Sequence, residues 1–337
     1  MRLFHKKIYT YLATAFLGVG VVVSAGFLGA SFLGCAPFFY PWRAATSGSQ
    51  EEQGMQTVTD ATGKTIEIPI HPRRVVILDP PDADLYTAAG GVSTIVGKPT
   101  TKNFSPDVAQ KLAAVPDVGI LHQPNAEAIL GLHPDLVITI RAPINNGLAD
   151  ILEKSGVPLY TNQLDSYEDA IRSLQFFGAI TGKEDTASKA AQELTAERAR
   201  AISRGAGRVG PKTLILVSAS KSTQAATSAS FSGSLAKELG ARNIADNTAA
   251  EGAALVQLSQ EEIAGANPDV IFIITIGKNQ DASKTLAESM KSDPAWSTIS
   301  AVQQGRVYPL PQSLFLVNPG MRMGSAMNEM ATALWGD

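Results

Sequence analysis

The sequence predicts an α/β protein of two lobes, each with a parallel-sheet core, joined by a single long α-helix and separated by a cleft. Three observations lead there. First, one phrase occurs twice: Glu127-Ala-Ile-Leu-Gly-Leu-His-Pro134-Asp135-Leu-Val-Ile-Thr139 and Glu261-Glu-Ile-Ala-Gly-Ala-Asn-Pro268-Asp269-Val-Ile-Phe-Ile273. Each runs from a short amphipathic helix through a Pro-Asp turn into an apolar strand. Second, apolar runs alternate with helical stretches across short links, the pattern of parallel strands covered by helices. Third, Glu184 to Ser203 is an almost unbroken set of helix formers. A helix of about 20 residues spans about 30 Å, the breadth of a small lobe.

The elements follow in order. Residues 1–35 read as an export signal: Arg2, Lys6 and Lys7 precede a stretch from Ile8 to Trp42 without a charge. The single cysteine, Cys35, ends the apolar run behind Gly34. A lipoprotein signal would place a diacylglycerol on Cys35. Phe32 and Leu33 depart from the usual Leu and small residue, and an uncleaved membrane anchor is the alternative. Either arrangement puts the rest of the chain outside the cytoplasm, folded without disulfides. Residues 36–57 read as a flexible tether, too poor in apolar side chains to order themselves.

Residues 58–181 form the predicted N-terminal lobe. Thr57–Asp60 and Thr65–Ile68 alternate as a hairpin; Val75–Leu78 is a strand buried on both faces. A helix over Asp84–Ala89, a strand over Thr94–Gly97, the Glu127 helix and a strand over Leu136–Ile140 follow. A helix near Leu148–Lys154 and a strand over Val157–Tyr160 come next. Ser166 and Asp169 have the spacing of a capping box that starts a helix ending before Gly182. Residues 182–207 are the linking helix. Residues 208–337 repeat the order with strands at Thr213–Val217, Asn243–Ile244, Val270–Ile274 and Arg306–Leu310, closing with a helix over Met321–Leu334.

The chain of 337 residues suffices for two cores, and a net charge of −3 without basic runs excludes a nucleic-acid footprint. Four histidines cannot build a bare zinc or manganese site, so direct capture of a naked divalent ion is not expected. In open α/β sheets ligands lie beyond the carboxyl ends of the strands. That rule nominates Asp79 and Asp82 after the first strand, Lys102 after the second, His122 before the Glu127 helix, and Arg141 after the Pro-Asp strand. In the second lobe it nominates Ser220, Lys278, and Gln312 through Met321 and Arg322. Arg141, Lys278 and Arg322 suit an anionic ligand through paired hydrogen bonds.

The ordered set His71-Pro-Arg-Arg-Val-Val-Ile-Leu, Asn125-Ala-Glu127, Thr181-Gly182-Lys-Glu, Phe231-Ser-Gly-Ser-Leu, Leu239-Gly240-Ala-Arg-Asn243-Ile244, Ser259-Gln-Glu261 and Asp293-Pro-Ala-Trp296 with Gly305-Arg-Val-Tyr308 resembles the substrate-binding proteins of bacterial ABC importers for iron-siderophores, haem and cobalamin. The resemblance covers the chain from about Val58 onward. It implies a monomer with no catalytic cofactor that holds one iron chelate, a ferric siderophore or haem, or else cobalamin, between its lobes. It also implies an ABC permease dimer with its ATPase as partner, docked by Glu127 and Glu261. The plainer reading of these glutamates is that an acidic first turn complements the helix dipole. For haem, His122, Met321 or Met323 would serve as axial ligand. Two alternatives stay open, an exported α/β hydrolase and a surface binding or sensor protein without a permease. Against the hydrolase, Ser230-Phe-Ser-Gly-Ser234 lacks the Gly-x-Ser-x-Gly elbow.

Overall fold

The computed structural model describes residues 54–141, 145–219, 222–277 and 281–336. The signal and Cys35 lie outside them. Hairpin β1 (Met55–Thr59) and β2 (Thr65–Pro69) opens the body, so the segment expected as tether already carries strand residues from Met55. Alternating exposed and inward residues make it an ordered edge element rather than coil.

The first lobe contains β3 (Val75–Ile77), α1 (Pro80–Ala88), β4 (Ile95–Gly97), α2 (Pro106–Lys111), the small hairpin β5 (Gly119–Ile120) and β6 (Gln123–Pro124), α3 (Ala126–Gly131), β7 (Leu136–Ile140), α4 (Asn145–Lys154) and β8 (Leu159–Asn162). Its parallel sheet has the order β4-β3-β7-β8. Helices α5 (Tyr167–Thr181) and α6 (Glu184–Ser203) follow, and the predicted capping box is present at Ser166 and Asp169. The second lobe holds β9 (Lys212–Ala219), β10 (Ser222–Ala226), α7 (Phe231–Glu238), β11 (Arg242–Asn243), β12 (Leu255–Val256), α8 (Gln260–Ala266), β13 (Val270–Thr275), α9 (Ala282–Ser292), α10 (Ser300–Gln303), β14 (Val307–Leu310), α11 (Gln312–Phe315) and α12 (Met323–Trp335).

β11, β9, β13 and β14 repeat the parallel pairing of the first lobe, while β10 and β12 add an antiparallel edge that the sequence reading did not foresee. Both copies of the repeated phrase are clamped by the same kind of hydrogen bond. Asp135 accepts the backbone N–H groups of Arg73 (2.7 Å) and Arg74 (2.9 Å), and Asp269 accepts that of Lys212 (2.7 Å). Arg74 Nη2 donates to the Leu132 carbonyl at 2.6 Å, and Lys212 Nζ to the equivalent Ala266 carbonyl at 2.9 Å. His133 and Asn267, at the same offset, both turn left-handed at φ 47°. Asparagine tolerates that region well, and the backbone groups around each turn are satisfied by the clamp.

Strand residues alternate between two faces. Val76, Leu78 and Val137 pack under the outer helices of the first lobe, and Leu214, Leu216, Ile271 and Ile273 do so in the second. The opposite faces, with Val75, Ile77, Ile215 and Phe272, join one continuous core that also takes in α5, α6 and α12. Small residues on α6, with Ala187, Ala190 and Ala191 buried, let its neighbours approach closely. A Cβ at Gly178 of α5 would meet Ala187 Cβ at 2.5 Å, so this crossing requires glycine. Arg198 of α6 reaches Glu238 of α7 (2.7 Å) and Glu168 of α5 (3.3 Å) and lies over the Tyr167 ring.

Candidate ligand-binding cleft

In both sheets the strand order reverses beside the first strand, so loops after β3 and β7 diverge in one lobe and those after β9 and β13 in the other. Between these strand ends lies a cavity of about 640 Å³, a volume suited to a small-molecule site. Its two walls differ. The first lobe offers Pro81, Ile140, Arg141, Asn162, Gln163 and Asp165. The second offers mainly apolar side chains, among them Val217, Phe231, Leu255, Ile276, Leu316 and Val317. Leu255, Ile276 and Val317 stay 39%, 42% and 55% exposed, unusual for large aliphatic groups unless something covers them.

Asp79 and Asp82 are not cleft-facing loop residues, as expected, but fully buried at the start of α1. The two prolines that follow Asp79 suit the first helical positions, where no N–H is needed, so the helix begins four residues earlier than the apolar pattern suggests. The Asp79 carboxylate caps it by accepting the Asp82 N–H at 3.0 Å. Asn162, in the cleft wall, donates to Asp82 Oδ1 at 2.5 Å and to Ser173 Oγ at 2.9 Å. Burial pushes the Asp79 carboxyl well above the usual range, reinforced by the neighbouring Asp82 charge. Burial also raises Asp82, against the pull of hydrogen bonds from Asp79 and Asn162. Both carboxyls lie behind the cleft wall, each with its Oδ2 unpartnered.

Arg322, expected as a ligand clamp, instead ties the lobes together. Its Nη2 donates to the Asn103 carbonyl of the first lobe at 2.9 Å, and Nε lies 3.5 Å from Asp84 Oδ2 on α1. Asp84 is almost fully buried, and burial lifts its carboxyl to about 6 despite the Arg322 charge. Next to Arg322, Gly320 sits at φ 64° with its Cβ position 2.8 Å from the Pro81 carbonyl, a contact that only glycine permits. Asn318 donates to the Ser166 carbonyl at 2.8 Å.

The other expected residues fall as follows. Arg141 lines the cleft, with one guanidinium N–H donated to the Ala61 carbonyl; it also borders a cavity of about 660 Å³ beneath the β1–β2 hairpin. Gln312 braces the loop after β13, donating to the Gly277 carbonyl at 2.8 Å, rather than lining the cleft. Lys102 is exposed beside Asn103, and His122 is exposed in the turn between β5 and β6. Met321 packs against the common core and Met323 is fully buried in it, so apolar packing claims both. Ser220 and Lys278 lie outside the described residues. Glu127 and Glu261 are exposed in the first turns of α3 and α8, one residue after their caps' first helical neighbour in each case. Asn162, Gln163 and Asp165 border the cleft unmarked by the apolar pattern, which stops at Tyr160, two residues short of where β8 ends.

Two lobes, a common helical spine and an interlobe cavity define a bilobed binding protein. A family model described as periplasmic binding protein matches residues 75–314, and the chain belongs to that family. It is 25% identical over 290 residues to the uncharacterised ABC transporter substrate-binding lipoprotein YvrC of Bacillus subtilis, covering 83% of this chain and 86% of that one. It is 24% identical over 244 residues to the high-affinity heme uptake system protein IsdE of Staphylococcus aureus, covering 72% and 81%. The crystal structure of IsdE complexed with heme superposes with a TM-score of 0.64 at 22% identity, covering 78% and 98%. The petrobactin-binding protein YclQ of Bacillus subtilis does so with 0.66 at 19%, covering 83% and 97%. These two structures speak for the fold. The relatives are substrate-binding proteins of transport systems and not enzymes, which removes the hydrolase alternative.

Proposed function

We propose that the chain is the extracytoplasmic substrate-binding protein of an ABC importer, capturing an iron chelate, a ferric siderophore or haem, or else cobalamin, and handing it to a permease. The observation that carries this is the interlobe cavity of about 640 Å³ at the carboxyl ends of both sheets in a member of this family. A heme uptake protein and a petrobactin-binding protein among its relatives and structural neighbours support a chelate as ligand. Attachment to the membrane through Cys35 is supported by the naming of the YvrC relative as a lipoprotein. One experiment tests capture and anchoring together. Radiolabelled iron chelates and cobalamin are the probes, one of which is expected to bind the membrane fraction of cells producing the chain, and Cys35→Ala, which leaves no thiol to lipidate and so no processing at that position, is expected to change the size of the mature chain. A variant of the same mature size and the same membrane fractionation as the parent would mean that the uncleaved apolar segment holds the chain; no binding of any of these probes in any fraction would end the proposal.

A further inference from the structure

Resting on that reading, we propose that the cleft takes a chelate whose own donor atoms already fill the metal's coordination sphere, wrapped in aliphatic and carboxamide groups, so that the protein grips the shell and never touches the metal. The walls are built for such a shell. On the second lobe, Phe231, Leu255, Ile276, Leu316 and Val317 present a nearly continuous aliphatic and aromatic surface, with Leu255, Ile276 and Val317 left 39%, 42% and 55% open. Covering them removes apolar surface from water whatever the metal. On the first lobe, Gln163 presents an exposed side-chain amide, which both donates and accepts, while buried Asn162 has given both its N–H groups to Asp82 and Ser173. Arg141 and Asp165 add one charge of each sign. The Asn162 amide is held in place from behind by Asp82 and Ser173, so this wall is preorganised.

The same geometry argues against an open-sided metal such as haem iron, which needs a histidine, methionine, tyrosine or cysteine to complete its axial positions. Among the described residues lining this cavity there is no such side chain. The axial ligands nominated from the sequence lie elsewhere: His122 exposed in a hairpin turn, Met321 against the common core, Met323 fully inside it. The undescribed stretches 142–144, 220–221 and 278–280 read Ala-Pro-Ile, Ser-Lys and Lys-Asn-Gln and contain none. Two sources share the saturated-metal, amide-and-aliphatic chemistry, a ferric trihydroxamate and a corrinoid with both axial positions filled.

The test uses the detergent-solubilised full chain and three probes in isothermal titration with parallel absorption spectra: a ferric trihydroxamate, cyanocobalamin and haemin. One of the first two is expected to bind at one per chain with its absorption bands unmoved, since the metal keeps its own ligands, and which one binds identifies the source. Val317→Asp with Leu255→Asp is expected to weaken it at least about tenfold. The milder Val317→Ser should act in the same direction, should the double variant fold poorly by circular dichroism. Haemin bound with a protein-ligated Soret spectrum that is lost in Met321→Ala or His122→Ala would overturn the inference while leaving chelate capture standing. Unchanged affinity in both wall variants would also overturn it. Failure of all three probes would remove the chelate reading itself.

Discussion

Asp79, Asp82 and Asp84 place three carboxyl groups within two turns of chain, all but excluded from water. Each retains a buried oxygen without a hydrogen-bond partner. Such groups lower their cost by keeping protons, and their raised pKa values make them a liability at neutral pH. For Asp84, the rise from 3.8 to about 6 amounts to roughly 3 kcal/mol. The sign follows from linkage: the folded state holds these protons more tightly than the unfolded chain, so the stability is fully present below about pH 4 and is lost as pH rises through about 6. The body is therefore expected to melt at a higher temperature at pH 5 than at pH 7.5. Asp79→Asn keeps a side-chain oxygen to cap α1 and brings an amide that can donate to Asp82, while removing one ionisable group. It should raise the melting temperature at pH 7.5 by several degrees and much less at pH 5. A fall at pH 7.5, measured by circular dichroism melts, would show that the Asp79 carboxyl stabilises rather than burdens the fold.

At the scale of elements, α3 with β7 and α8 with β13 are the two copies of the repeated phrase, and their agreement extends from strand register to the backbone clamp of Asp135 and Asp269. The Pro-Asp pair and the left-handed residue before it are thereby explained by folding alone. Glu127 and Glu261 are not: both are exposed, and neither forms an ion pair among the described residues. Their dipole contribution at an exposed helix start is about 0.3–1 kcal/mol, too little to require a glutamate there. We therefore expect Glu127→Ala with Glu261→Ala to leave chelate affinity and melting temperature unchanged while uptake by whole cells collapses. Each single variant should lose only a few-fold, because exposed charge pairs are individually weak. Normal uptake by the double variant would refute permease docking by this pair.

For the molecule as a whole, the decisive feature is that one core runs from the first sheet through α5 and α6 into the second. Arg198 fastens α6 to α5 and α7, and Arg322, Gly320 and Asn318 fasten the lobes to each other near α1. Hinging the lobes apart would open apolar surface and strip partners from buried polar groups, so ligand capture must proceed with little rearrangement. Small-angle scattering is expected to show a change in radius of gyration below about 1 Å on saturation with chelate. A larger contraction would mean that the shared core yields, and that the cavity described here is not the liganded one.

Much of this protein is determined by its sequence alone, and the reason is local. Periodicity, caps and the Pro-Asp turns depend on neighbours a few residues apart, so the repeated phrase, the capping box at Ser166 and Asp169, the helix over Glu184–Ser203 and the parallel core strands could be read directly. The cleft was legible as a rule about strand ends, which pointed to Arg141 and to the stretch holding Val317 and Asn318, all of which border the interlobe cavity. What that rule cannot supply is which way a side chain points and what it meets from distant chain. Asp79 and Asp82 turned inward because the prolines between them started a helix, and Arg322 turned from ligand clamp to interlobe tie because Asp84 and Asn103, more than 200 residues away, lie within its reach. Only the tertiary structure sets an aliphatic wall from one lobe against an amide-bearing wall from the other. Those residues come from segments far apart in the chain, and no local signal marks them as neighbours.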